Sequence, residues 1–279
     1  AEGRGPGTVD GSYLISERII EVEPSGSSGG TIVWDWYAFD HLVQDHNASL
    51  PNNGVVGDAP ELIDVNYPGG SADDWIHMNA IDYNADLDQI LVGANYFNEV
   101  WVIDHSTTTE EAAGHSGGRQ GKGGDLLYRW GNPVAYDRGS TADRVFFYVH
   151  DAQWVEPGRP GAGNMLGFNN GNHGPGSSAN ASQINEWAPP VDGDGAYELA
   201  AGAAYGPADL AWSYEASVPS SFYSPGISGC QRMPNGNTLI ISGVQAWLFE
   251  VQPDGTTVWE HSNTDCVLGG GPGGADDCR

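Results

Sequence analysis

One short phrase recurs four times along the chain and constrains the fold more than any other feature. A turn leads into a brief apolar run that ends in aromatics: GGTIVWDWY (29–37), GGDLLYRWG (123–131), PADLAWSYE (207–215) and DGTTVWEHS (254–262). Each copy follows a segment rich in β-branched or apolar residues, namely IIEVEP (19–24), EVWVIDH (99–105), SQINEW (182–187) and WLFEVQP (247–253). Ahead of the last three pairs stand two more strand-like segments each. They are IHMNAIDYN with QILVGAN (76–84, 89–95), FFYVHDAQWVE with NMLGFNN (146–156, 164–170), and GISGCQRMP with NTLIISG (226–234, 237–243). Four strands, a turn and four strands again is the pattern of propeller blades. The reading is therefore an all-β fold, a β-propeller of four-stranded antiparallel blades, with three complete blades and the outer half of a fourth at the start.

Composition agrees. The 41 Gly and 17 Pro suit turns and weaken helix interiors, and only 17% of residues are charged. The Pro-Asn-Gly-Asn turn at 234–237 and the Pro-Asp-Gly turn at 253–255 are hairpin chemistry. The connection from Phe39 to Asp74 reads as an insertion with one helical turn at DHLVQDHN (40–47). The half-blade needs inner strands from upstream residues, from the tail or from another chain, since an uncovered edge invites self-association. Upstream residues are the first expectation. The propeller is assigned to 1–263, and 264–279 is a Gly-rich tail.

Ten Lys and Arg against 37 Asp and Glu give a net charge of −27, with Lys122 the only lysine. Such a surface repels phosphate backbones, which argues against nucleic acid as a partner. No run of eighteen apolar residues offers a membrane span. Of the three cysteines, Cys266 and Cys278 bracket a flexible stretch that favours their pairing, with Cys230–Cys278 and Cys230–Cys266 as alternatives. The acidic surface suits a salty medium, surface cations or simple solubility, and the expected location is secreted, periplasmic or extracellular.

The segments DWIHMNAIDYNADLDQILV (74–92), DHSTTTEEAAGHSGGRQGKGGDLLYRWGNP (104–133), VHDAQWVEPG (149–158), NMLGFNNGN (164–172) and SPGISGCQRMPNGNTLIISG (224–243) resemble the bacterial arylsulfotransferase family, in family order. The resemblance implies a six-bladed propeller and sulfuryl transfer from a phenolic sulfate ester to another phenol through a transiently sulfated histidine. Such chemistry needs a neutral imidazole, groups that hold the sulfonate oxygens, and a proton for the leaving phenolate. His77 and His150 match positions where the family keeps active-site histidines. Equivalent inner strands would aim both at one axis; the competing reading is a pair of core histidines satisfied by backbone groups. Two departures stand out. Asn169-Asn170-Gly171-Asn172-His173-Gly174 takes the place of an outer turn carrying a sulfate-gripping Arg, so that His173 is the remaining candidate donor. Trp247 stands where the reactive histidine is expected, before Leu248-Phe249-Glu250-Val251. The resulting expectation is an exported arylsulfotransferase-like propeller with low turnover and a small phenolic or sulfated ligand. The alternative is a non-catalytic propeller used for binding or extracellular assembly.

Other clusters carry weaker signals. His41 and His46 with Asp40 and Asp45 offer donors for zinc or a similar ion, although their spacing favours a solvated turn. The transfer reaction requires no cofactor. Asp192-Gly193-Asp194-Gly195 is a fragment of a calcium loop without the later ligands, and an acidic turn is the first reading. GGRQGKGG (117–124) lacks the Ser or Thr of a phosphate-binding loop and reads as a flexible connection.

Overall fold

The computed structural model describes residues 2–5, 13–171 and 180–263. They form two compact units: Ala1–Arg144 with Pro190–Gly206, and Val145–Pro189 with Pro207–Arg279.

The first unit opens with the hairpin of β1 (Arg18–Ser25) and β2 (Gly29–Tyr37), paired antiparallel from Arg18↔Tyr37 to Ser25↔Gly29. Alternation along β2 turns Trp34 and Trp36 inward, and both are buried. Their indole N–H groups donate to Thr107 Oγ1 (3.1 Å) and to the Gly124 carbonyl (2.7 Å), so neither buries an unpaired donor. The expected helical turn at 40–47 is a 3₁₀ turn over Ala38–His41. Leu42 and Val43 are apolar and buried, and they leave that turn as β3 (Leu42–Val43) to pair in parallel with β4 (Ile63–Asp64).

The first complete blade follows: β5 (Met78–Asn84), β6 (Gln89–Ala94), β7 (Glu99–Asp104) and β8 (Tyr128–Trp130), hydrogen-bonded in that order and antiparallel throughout. Strands β6 and β7 are buried along their whole length, which is why their sequences are near-continuous apolar runs. A charged pair sits in this apolar setting. Arg129 and Glu99 are fully buried and joined at 2.5 Å; Arg129 also donates to the Leu62 carbonyl and lies 4.4 Å from the Tyr136 ring centre. Residues 190–206 pack with this unit. Tyr197 stacks on Tyr128 and donates to Gln89 Oε1, while Gln89 Nε2 donates to the Gly195 carbonyl.

The second unit holds two further blades. One is β9 (Val149–Trp154), β10 (Met165–Asn169), β11 (Gln183–Trp187) and β12 (Trp212–Tyr214); the other is β13 (Gly229–Arg232), β14 (Thr238–Ser242), β15 (Trp247–Val251) and β16 (Thr257–Ser262). Their shared core contains Leu166, Phe168, Ile184, Phe222, Ile240 and Phe249. Cys230 is a free thiol inside it, and burial pushes its pKa well up. The meander order of each sheet is the construction of a propeller blade, and the chain has the β-propeller architecture of three four-stranded blades with an outer hairpin. No helix among the described residues is long and apolar enough to cross a membrane.

Candidate functional site

His77 and His150 fall in different units, and each is set by local geometry. His77 was expected on the inner strand of its blade. It stands one residue before β5 instead, with φ = 57°. Three bonds fix that conformation. The Glu17 carboxylate accepts the His77 N–H (2.6 Å), the His77 carbonyl accepts from Asn95 N (3.2 Å), and the Ile76 carbonyl accepts from Tyr96 N (3.0 Å). A left-handed residue is costly unless its surroundings hold it, and here they do. Burial pushes the Glu17 carboxyl upward, with the backbone N–H groups of His77 and Met78 among the opposing bonds.

The His77 ring is 40% exposed and tilts against Tyr96, with ring centres 5.0 Å apart. Its Nδ1 lies 2.8 Å from Asp74 Oδ2 and 3.0 Å from Oδ1. A carboxylate only accepts, so Nδ1 carries the hydrogen and Nε2 of the neutral ring carries the lone pair. Nε2 has no hydrogen-bond partner among the described residues.

His150 is the second residue of β9. Its Nδ1 lies 2.7 Å from Asn170 Oδ1. The orientation of Asn170 is fixed by two carbonyl acceptors, since its Nδ2 donates to Ser224 O and Ile227 O at 2.8 Å each. The amide oxygen therefore faces His150, which must donate through Nδ1. Both histidines thus present the same tautomer, one anchored by a carboxylate and the other by an amide.

A family model described as arylsulfotransferase (ASST) matches residues 4–265. The chain belongs to the arylsulfotransferase family. No curated protein matches it in sequence. Among solved structures it is similar to a protein of unknown function from Bacteroides caccae (15% identity, TM-score 0.35, 66% of this chain and 45% of that one). It is also similar to the β-propeller domain of Myceliophteria thermophila Cps50 (Swd1), at 12% identity and TM-score 0.36 over 66% and 40% of the two chains. A third is virginiamycin B lyase from Staphylococcus aureus, at 12% identity and TM-score 0.34 over 69% and 43%. The chain spans less than half the length of each.

Within the arylsulfotransferase propeller the two departures from the family pattern acquire a setting. Trp247 opens β15, the third strand of its blade. Its indole stacks on Phe249 at 3.9 Å, packs against the core, and donates to Glu260 Oε2 at 3.2 Å. The residue that precedes the first strand of that blade is Ser228 (φ = 92°), and in the middle blade it is Tyr148 (φ = 63°). Of these three thresholds only the one before β5 carries an imidazole. Asn169 closes β10, the second strand of its blade, and Asn170 follows it, so this pair is not an outer turn. Asn169 accepts from Phe147 N and donates to Val145 O, and Asn170 orients His150. His173 lies outside the described residues, as do Cys266 and Cys278.

The other candidates are placed as follows. His41 is buried and meets His115 and Asp125, not its sequence neighbours Asp45 and His46. Asp192 accepts from Asp194 N and Ala196 N, so one carboxylate oxygen of the 192–195 turn is used by its own backbone. Asn170 lies inside the matched segment at 164–172, but nothing in the sequence marked it as the partner of His150. Asp74 did carry a signal, lying three residues before His77.

Proposed function

We propose that this arylsulfotransferase-family propeller takes a phenolic sulfate ester at the threshold of β5, with His77 as the imidazole that meets the sulfuryl group. The observation that carries the reading is the Asp74–His77 pair: Nδ1–H is anchored on a carboxylate while Nε2 keeps its lone pair on a half-exposed ring. In the transfer, Nε2 attacks sulfur, the bond from sulfur to the aryl oxygen breaks, and the leaving phenolate gains a proton. The sulfuryl group then passes from Nε2 to the oxygen of an acceptor phenol, which loses its proton. No cofactor is consumed. An exported setting is supported by the acidic composition.

A second reading, a propeller that binds the ester without turning it over, is favoured by Trp247, which the core holds at the place expected for the reactive histidine. Release of nitrophenol from 4-nitrophenyl sulfate with a phenol acceptor separates the two. Slow release that disappears in His77→Ala supports transfer through His77. Saturable binding without release supports the second reading, and release unchanged in His77→Ala refutes the assignment.

A further inference from the structure

The most unusual polar arrangement in the molecule lies away from both histidines described above. His41 ends the 3₁₀ turn after β2, and its side chain has no solvent exposure. The ring stacks on Trp36 at 5.5 Å with an interplanar angle of 4°. Nε2 lies 2.9 Å from the Ala112 carbonyl, the last residue of a short helical turn at Thr109–Ala112. A carbonyl only accepts, so Nε2 carries the hydrogen. Nδ1 then points its lone pair at Asp125 Oδ1, 2.8 Å away. His115 brings its own Nδ1 to the same oxygen, also at 2.8 Å.

Two ring nitrogens and one carboxylate oxygen thus converge, all within 4.8 Å of one another. A neutral His41 facing a carboxylate through its lone pair is repulsive. The geometry calls for a positive charge between them, and His115 aims a second donor at the same spot. A metal ion would use all three.

The chain is built to hold this arrangement. The glycine-rich stretch that superficially resembles a phosphate loop closes on itself, with Gly123 N donating to Gly117 O and Gly124 N to Gly114 O, at 3.0 Å each. Gly117, Gly118, Gly121 and Gly123 all have positive φ, which suits residues without a side chain. That closure brings His115 and Asp125 to the two ends of one loop. At Gly124 a Cβ would collide with the Ala112 carbonyl and stand 2.7 Å from His41 Nε2. His41 is therefore clamped between an indole, a bare backbone and a carbonyl, and Asp125 is nearly buried. His115 is 61% exposed and leaves one side open.

We propose that His41 Nδ1, His115 Nδ1 and an oxygen of Asp125 form a site for a divalent transition metal of the zinc class. Imidazole and carboxylate donors suit Zn²⁺, and three protein ligands with a solvent-facing fourth position is a recurrent zinc arrangement. The Nε2–H of His41 donating to a main-chain carbonyl is the outer bond that orients a metal-binding histidine. With zinc–nitrogen bonds of about 2.0–2.1 Å, rotation of the exposed His115 ring opens the room the ion needs. The ion would tie the segment after β2 to the connection between β7 and β8.

The test uses the full chain stripped with a chelator and titrated with Zn²⁺ by calorimetry in excess Ca²⁺. Calcium saturates the acidic surface and competes poorly for nitrogen donors. One Zn²⁺ per chain is expected, with affinity at least about tenfold weaker in His115→Ala and in Asp125→Asn, and unchanged in His46→Ala. His115 is exposed, so its removal leaves the fold intact, which circular dichroism checks. Titration with Co²⁺ would add visible bands that disappear in His115→Ala. Absence of saturable Zn²⁺ binding overturns the proposal, as does binding that His115→Ala and Asp125→Asn leave unchanged. So does a nitrogen spectrum in which the His41 Nδ1 resonance is unmoved after Zn²⁺ is added.

Discussion

Replacing Asn170 with Ala tests whether one buried amide holds both the second unit and the tautomer of His150. Asn170 is fully buried. Its Nδ2 satisfies the carbonyls of Ser224 and Ile227, and its Oδ1 receives the His150 Nδ1–H. The Ala variant strands the buried Ser224 carbonyl and the partly buried Ile227 carbonyl. The Ser182 hydroxyl, 3.4 Å from Ser224 O, covers one of them only in part. At about 1–1.5 kcal/mol for each stranded acceptor the loss is about 2–3 kcal/mol, or about 4–12 °C in Tm for a protein of this size class. Asn170→Asp should cost more, because it sets an oxygen 2.8 Å from two carbonyl oxygens. Calorimetry reads the stability, and the ring nitrogen shifts of His150 read the tautomer, which should move from Nδ1–H to a mixture. Wild-type Tm and an unchanged His150 tautomer in Asn170→Ala would refute the reasoning.

Arg129→Met leaves Glu99 buried without its counter-ion, at a cost of about 3–5 kcal/mol near neutral pH. Burial already raises the Glu99 carboxyl, and a raised acid loses stability as pH climbs through its folded value, so urea midpoints of this variant should rise on acidification. Non-reduced peptide mapping should find Cys266 joined to Cys278, a bridge worth roughly 2–4 kcal/mol in the chain-entropy model. Alkylation of both without reduction would exclude it, and a bond from either to Cys230 would contradict the free buried thiol.

The blades were legible because each strand announces itself locally. The phrase GGTIVWDWY is β2 from first residue to last, with Trp34 and Trp36 alternating inward, and EVWVID is β7, where burial on both faces favours a near-continuous apolar run. The site was less legible. The left-handed conformation of His77 depends on the Glu17 carboxylate, sixty residues away in sequence, and no local propensity encodes it. The same holds for His41, whose partners come from a loop more than seventy residues downstream. The segment DHLVQDHN reads as a solvated turn, with a metal cluster of its own residues as the lesser reading, yet His41 is fully buried. The fold separates those neighbours, because the 3₁₀ turn ends at His41 and the chain leaves as a buried strand. Residues 190–206 were invisible as part of the first unit, since Tyr197 and Gln89 meet only through tertiary packing.

The central claim is that an aryl sulfate engages His77 through Nε2. Titrating the chain, labelled with ¹⁵N at histidine, with 4-nitrophenyl sulfate tests it most directly. The account predicts a saturable shift of the His77 Nε2 resonance that is weakened in Asp74→Asn, while Nδ1 remains protonated. A His77 signal unmoved at ligand concentrations that saturate other sites on the protein would contradict it.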